Sequence, residues 1–199
     1  MKLNSIKLKK IKGDASFRYF YKKEENKKKS VIVYATKEKK KNLLIYDAIN
    51  SLLIKNRILA PKLYKENYKK NFLEIEDFGD NTIFNLLKRK KGNKINLYKK
   101  AINLLIRIQK IKQNKTKTFQ KKIYKLPIYN NQKLFSEAKL FIDWYAKKII
   151  SKNKLPRLKI ALNKQIKFLL SNIKIKDNVF VHRDFHVSNL MQHKGQLAI

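Results

Sequence analysis

Val179-Phe180-Val181-His182-Arg183-Asp184-Phe185-His186-Val187-Ser188-Asn189-Leu190-Met191 is the stretch on which the reading of this chain turns. Apolar arms flank a polar centre, so the segment reads as a loop that leaves a core through Val179–Val181, taken as a short strand from Asp177, and returns through Leu190 and Met191 to a buried strand. Within it a carboxylate, Asp184, and an amide, Asn189, stand five residues apart. A carboxylate can accept or orient the proton of an attacking hydroxyl, and an amide oxygen one loop turn away can ligate a hard cation such as magnesium. His182 is placed to brace the loop, and Arg183 to supply a nearby positive group. His182, His186 and His193 together make a poor zinc site, because no cysteine or clustered carboxylate completes the donor set.

Upstream, the chain divides by periodicity. Residues up to Lys12 are basic and read as a short strand or tail. Ala15–Tyr21 and the β-branched Ser30–Ala35 read as two strands of a hairpin joined by a charged turn over 22–29. Ile45, Ala48, Ile49 and Leu52 keep helical spacing between about Lys39 and Asn56, and Pro61 bars continuation. Asn71–Glu76 alternates as a strand and runs into the turn Asp77-Phe78-Gly79-Asp80. Beyond residue 80 the pattern is helical. A helix runs from Thr82 to about Lys90, and Leu97, Ala101, Leu104, Leu105 and Ile108 mark the next. A third stripe is Leu134, Ala138, Phe141, Ile142, Tyr145 and Ile149, and a weaker fourth is Leu158, Ala161, Leu162 and Leu169. The stretch 112–125 has no periodicity and reads as a basic connector.

With 199 residues, 43% of them hydrophobic, the chain can bury a core as one large domain or two small lobes. It contains no run of eighteen apolar residues, and its start lacks the apolar segment of a leader, so a soluble cytoplasmic protein with no membrane partner is expected. The absence of cysteine excludes disulfides and thiolate metal sites. The formal charge of +36 suggests a nucleic-acid or anionic-membrane partner. Yet 44 of the 50 basic residues are Lys, spread over every segment, and Asn is abundant at 20. Lys, Asn and Ile together follow A/T-rich coding, so the charge is read as compositional and no specific nucleic-acid partner is expected.

H-R-D-x-x-x-x-N is the catalytic-loop pattern of protein kinases and related phosphotransferases, with the Asp acting on the acceptor hydroxyl and the Asn on magnesium. Asp77-Phe78-Gly79 spells the tripeptide that carries the second magnesium ligand in protein kinases, but that element follows the catalytic loop, and Asp77 precedes Asp184 by more than a hundred residues. Its place between strand and helices fits a hinge instead. Further segments occur in order along nearly the whole chain: Gly13-Asp14-Ala15-Ser16-Phe17-Arg18-Tyr19-Phe20, Leu59-Ala60-Pro61, Leu73-Glu74-Ile75-Glu76-Asp77-Phe78-Gly79-Asp80, Leu126-Pro127-Ile128-Tyr129 and Phe141-Ile142-Asp143-Trp144-Tyr145. With these, the chain resembles the aminoglycoside phosphotransferase-like family. Within it, the chain is similar to the bacterial anomeric kinases of N-acetylmuramate and N-acetylglucosamine.

The resemblance implies an α+β, protein-kinase-like two-lobed fold. Residues 1–80 would form a small β-rich nucleotide-binding lobe ending in the hinge, and 81–199 a helical lobe with the catalytic loop. It implies ATP and Mg2+ as cofactors and a small-molecule hydroxyl acceptor, a sugar or amino sugar of cell-wall recycling. Residue by residue, Asp184 is the catalytic base, with Arg183 and His182 beside it, and Asn189 is a magnesium ligand. Gly13, Ser16 and Arg18 lie in the phosphate-covering turn, and Glu76, Asp77 and Phe78 in the hinge that meets adenine. Asp143-Trp144-Tyr145 is a candidate substrate-side element, with ordinary helix core as the bland alternative.

Three departures accompany the resemblance. The first loop has one glycine where protein kinases have three, Tyr34-Ala35-Thr36-Lys37 stands where V-A-I-K is usual, leaving Lys37 only a candidate phosphate-pairing lysine, and Ile199 falls just before the family's Asp-containing segment. The chain is therefore expected to be C-terminally incomplete and inactive alone. Two other readings stay open at this stage: a non-catalytic kinase-like module that binds a nucleotide or a partner, and a basic nucleic-acid-binding protein.

Overall fold

The computed structural model describes residues 6–11, 18–36, 42–90, 93–173 and 179–199. Period-two burial in β3 (Lys28–Ala35) organises the main sheet: Val31, Val33 and Ala35 point to one face, opposite Ile75 and Leu73 of β5 (Phe72–Glu76), with Val31 paired to Ile75 and Val33 to Leu73. Together with β1 (Lys7–Lys10), β2 (Arg18–Glu25) and β4 (Leu63–Asn67), these strands form a five-stranded antiparallel sheet in the order β1-β2-β3-β5-β4. Leu43 of α1 (Asn42–Lys55) joins its buried face.

Several elements differ from the sequence reading. The hairpin's strands run on to Glu25 and Lys28, leaving a two-residue turn at Asn26-Lys27 with both φ values positive, 50° and 63°. That is the twist-matched turn of a tight hairpin, and charged residues extend the ladder because this end is exposed on one face. β4 has no alternation in LYKEN; it forms as an edge strand because β5 supplies its ladder, after a turn whose Asn71 takes up the left-handed conformation at φ 58°. The α1 stripe is shifted, with Leu43, Leu44, Ala48, Leu52 and Leu53 buried and Ile45 and Ile49 half-buried. The cause is that α1 is covered on a second side. The expected connector holds a hairpin, β6 (Lys115–Lys117) with β7 (Ile123–Lys125), whose Thr116 hydroxyl donates to the Ala48 carbonyl at 3.4 Å. Phe119, from the same hairpin, packs edge-on against Tyr68.

Residues of the helical part begin with caps. Thr82, Asn93 and Asn130 each accept the amide three residues on, starting α2 (Ile83–Lys88), α3 (Lys94–Gln109) and α4 (Asn131–Leu140). α3 buries Leu97, Ala101, Leu104 and Ile108, as its spacing requires. The third stripe fails in part: residues Phe141–Ala146 form a π-helical turn, which rotates Phe141, Tyr145 and Ile149 to the surface and buries Ile142 and Ala146. α5 (Lys147–Ile149) and α6 (Leu155–Ser171) follow, and α6 has no buried residue. β8 (Met191–His193) and β9 (Gln196–Ala198) form a last hairpin. Val179–Val181 form no strand; Asp177 and Asn178 lie outside the described residues.

The chain divides into two compact units, one of residues 1–125 with 182–199 and the other of 126–181. Glu76, Asp77 and Phe78 and the His182–Asn189 loop thus belong to the same unit. No helix among the described residues is long and apolar enough to cross a membrane.

Candidate active site

Helix ends leave amide donors without intrahelical partners, and α2 uses two of them to hold the loop. The Ile83 amide donates to the Leu190 carbonyl at 2.8 Å and the Phe84 amide to the Val187 carbonyl at 3.0 Å. Leu190, 1% exposed, anchors the C-terminal arm, and Thr82 bridges Met191. The Gln192 amide then donates to the Asn81 carbonyl at 2.8 Å, and the Ile199 amide to Leu59 at 3.0 Å. The expected return through Leu190 and Met191 into a strand is therefore what forms.

Within the loop, Asn189 Nδ2 donates to the Asp184 carbonyl at 2.9 Å and to Asp184 Oδ2 at 2.7 Å. His186 Nε2 lies 3.4 Å from Asp184 Oδ1, and its Nδ1 accepts the Ser188 amide at 3.2 Å. An imidazole that accepts at Nδ1 carries its proton at Nε2 when neutral, so His186 presents a donor to the carboxylate. Both oxygens of Asp184 are held, yet its side chain is 72% exposed. A carboxylate fixed by neighbours and open to solvent can receive a proton from an incoming hydroxyl.

His182 packs edge-on to Phe185 with ring centroids 6.0 Å apart. Burial pushes its imidazole below the ordinary value, against the pull of Asp184, and its buried Nδ1 has no partner. This suits a brace rather than a proton carrier. Arg183 takes up φ 71°, a left-handed conformation that costs a non-glycine residue roughly 1–2 kcal/mol. Its charge lies close enough to Tyr124 of β7 to oppose the upward push that burial gives that phenol.

The hinge candidates lie in the same compact unit as the loop. Glu76 ends β5, and its amide donates to Lys62 at 2.9 Å. Asp77 Oδ1 accepts the Gly79 amide at 2.7 Å in a tight turn. Glycine is favoured at 79 by its φ of 84° and not by crowding, because an added Cβ would meet nothing within 4 Å. Phe78, 7% exposed, stacks on His193 of β8 at 4.6 Å. Arg18 opens β2 and lies over the Tyr46 ring of α1. Gly13, Ser16 and Lys37 lie outside the described residues. In the second unit Trp144 is 68% exposed and Tyr145 57%.

Among the described residues no group of three or more His, Cys, Asp or Glu could hold a metal ion. The donor chemistry at Asn189 still fits magnesium. Its amide nitrogen is committed to Asp184, which leaves the oxygen as a hard ligand, and magnesium is commonly held by one or two protein oxygens with substrate phosphates completing the shell. Sequence reasoning considered His186 only for zinc and missed its contact with Asp184; its place two residues after the carboxylate was the available signal. It also missed His193 beneath Phe78 and Tyr46 beside Arg18, for which no local signal existed.

Residues 7–199 match the model of the Phosphotransferase enzyme family. The chain is 23% identical over 188 residues to an N-acetylmuramate/N-acetylglucosamine kinase of Neisseria meningitidis serogroup B, covering 94% of this chain and 53% of that protein. It is 25% identical over 145 residues to the enzyme of the same name from Pseudomonas putida, covering 73% and 40%. Among solved structures, Plasmodium vivax ethanolamine kinase superposes with a TM-score of 0.61 at 19% identity, covering the whole of this chain and 56% of that one. The aminoglycoside phosphotransferase of a streptomycin–ATP ternary complex gives 0.58 at 12% identity, covering 100% and 64%. The fold is thus α+β and protein-kinase-like, and the chain spans about half the length of the curated relatives it matches.

Proposed function

The chain belongs to the Phosphotransferase enzyme family, and from that premise we propose that the whole protein transfers the γ-phosphoryl group of ATP to a hydroxyl of a small molecule, an amino sugar. The observation that carries this reading is Asp184, held on both carboxylate oxygens and open to solvent. A purely structural Asp–Asn brace would gain most from being buried, where a hydrogen bond competes less with water.

In this reading the acceptor oxygen forms a bond to the γ-phosphorus, the bond from that phosphorus to the β–γ bridging oxygen breaks, and ADP leaves. Asp184 takes the hydroxyl proton. His186 and Asn189 keep the carboxylate turned toward it. Arg183 adds positive charge nearby, and His182 packs beneath. Asn189 would hold a magnesium ion, which when bound neutralises charge on the phosphate oxygens. Glu76, Asp77 and Phe78 present main chain to adenine. Gly13, Ser16 and Arg18 attend the phosphates. Residues 1–80 act as the nucleotide-binding lobe and 81–199 as part of the helical lobe. The amino-sugar class is supported by the names of the curated relatives.

The chain spans about half the length of the curated relatives it matches, so the 199-residue chain is proposed to turn over little or not at all. ATP consumption by this chain and by a version extended past residue 199 is measured against a panel of N-acetylated amino sugars. The extended form is active, and Asp184→Ala or Asp184→Asn abolishes turnover while ATP binding persists. Turnover that survives Asp184→Ala removes the base assignment, and strong activity of the short chain shows that the metal is held elsewhere.

A further inference from the structure

On the core face of the sheet, one row ends in a charge. Antiparallel partners place their side chains on the same face, and Lys22, Val31, Ile75 and Leu63 pair in register across β2, β3, β5 and β4. Val31 is 7% exposed, Ile75 4%, and Leu63 packs against the same cluster, so Lys22 finishes an otherwise apolar row. Its ammonium lies 2.6 Å from Asp80 Oδ2.

That contact closes a ring. The chain leaves the sheet after Glu76, two strands away from Lys22, yet four residues later Asp80 meets the Lys22 side chain. Residues 76–80 therefore run back under the core face toward β2. The strand ladder holds one side of the ring, and the ion pair holds the other.

The two partners differ in freedom. Asp80 sits in a fixed turn: the Gly79 amide donates to Asp77 Oδ1 at 2.7 Å, and the Asp80 carbonyl accepts the Thr82 amide at 3.0 Å and Asn85 Nδ2 at 2.9 Å. Lys22 hangs on a flexible four-carbon stem, and the Asp80 side chain is 70% exposed. An ion pair so open to solvent adds little to stability and breaks readily. Lys22 is the part that can move.

We propose that the Lys22–Asp80 ion pair is a strap across the mouth of the nucleobase site, past which a nucleotide enters and leaves when Lys22 swings away. This rests on the reading above in which Glu76, Asp77 and Phe78 present main chain to adenine, since the ring includes those residues beside the Val31–Ile75 pair. A side chain swings far faster than a ligand arrives, so both rates scale with the fraction of time the strap is open.

Stopped-flow fluorescence on the 199-residue chain tests it, with methylanthraniloyl-adenosine as a neutral probe and methylanthraniloyl-ATP as a charged one. Lys22→Met and Asp80→Asn each quicken both association and dissociation of the neutral probe about twofold to sixfold, the range set by the open fraction of an exposed ion pair, while the dissociation constant stays within about twofold. Rising salt quickens exchange of the neutral probe on the unaltered chain and leaves the two variants unmoved. A lysine that merely attracts phosphates gives another pattern: Lys22→Met slows association of the charged probe and leaves the neutral probe untouched. The proposal is overturned by that pattern, by neutral-probe rates that do not change in either variant, or by a dissociation constant that rises in step with the dissociation rate, which marks a binding contact. If one variant does not fold, the other decides. An unaltered chain that binds neither probe overturns the phosphotransferase reading together with this proposal, whereas binding whose exchange is indifferent to Lys22 and Asp80 overturns this proposal alone.

Discussion

Asn189 does two jobs with one amide: its nitrogen holds Asp184 at 2.7 and 2.9 Å, and its oxygen is the proposed magnesium ligand. Replacing it tests both. In a version of the protein extended past residue 199, Asn189→Ala is expected to raise the magnesium concentration for half-maximal ATP consumption by about 10- to 100-fold, the range typical of lost metal-site partners. Titrating Mg2+ at fixed ATP measures it, and an unchanged magnesium dependence would remove Asn189 from the metal site. At this scale the loop was legible beforehand, because Asp184 and Asn189 are five residues apart and their contact is local. His186 is equally local, but three scattered imidazoles invited a metal reading rather than a contact with the carboxylate.

Two elements of the sheet carry predictions. Lys27 sits at φ 63° in a turn that prefers Asn-Gly, and Asn26 already supplies the first half. Lys27→Gly removes the left-handed penalty of a side chain and is expected to stabilise the fold by about 1 kcal/mol, read from denaturant midpoints at constant slope. On the open face of the sheet, Lys23 Nζ lies 3.1 Å from Glu74 Oε1 and 2.8 Å from Glu25, and the Ser30 hydroxyl donates to Glu74 at 2.6 Å. Burial alone would raise the Glu74 carboxyl, but these hydrogen bonds and charges outweigh it and bring it below its ordinary value. The hydrogen bond from Lys23 to Glu25, helped by Glu74, raises the ammonium in spite of burial. Since Glu74 has a depressed folded pKa, its contribution is complete above the ordinary carboxylate value and is lost as pH falls through the depressed one. Lys23, raised, contributes fully below its ordinary value and loses that only as pH rises through the raised one. Glu74→Gln is therefore expected to cost about 1–2 kcal/mol at neutral pH, with the difference from the unaltered chain shrinking toward strong acid, as unfolding at both pH values would show.

For the whole molecule, the charge of +36 is the property most open to a competing function. If composition explains it, double-stranded DNA binds without sequence preference, with a dissociation constant of about 10⁻⁴ to 10⁻⁶ M at physiological salt and a steep loss of affinity as salt rises. Fluorescence anisotropy with two unrelated duplexes across a salt series measures this, and tight, sequence-selective binding would require a nucleic-acid role. The field would in any case favour approach of a polyphosphate such as ATP.

What the sequence by itself determined is whatever repeats within a few residues: the alternation of Val31, Val33 and Ala35, the spacing of Leu97, Ala101, Leu104 and Ile108, and the loop from His182 to Asn189. These patterns are local because a strand repeats every two residues and a helix every 3.6. Tertiary structure alone decided that β5 lies between β3 and β4, that a patternless basic stretch becomes the β6–β7 hairpin on α1, and that a π-turn carries Phe141 and Tyr145 to the surface. It also decided that Phe78 and His193, more than a hundred residues apart, pack ring against ring. Each of these depends on which distant face supplies a ladder, a cover or a ring, and no window of sequence contains that face.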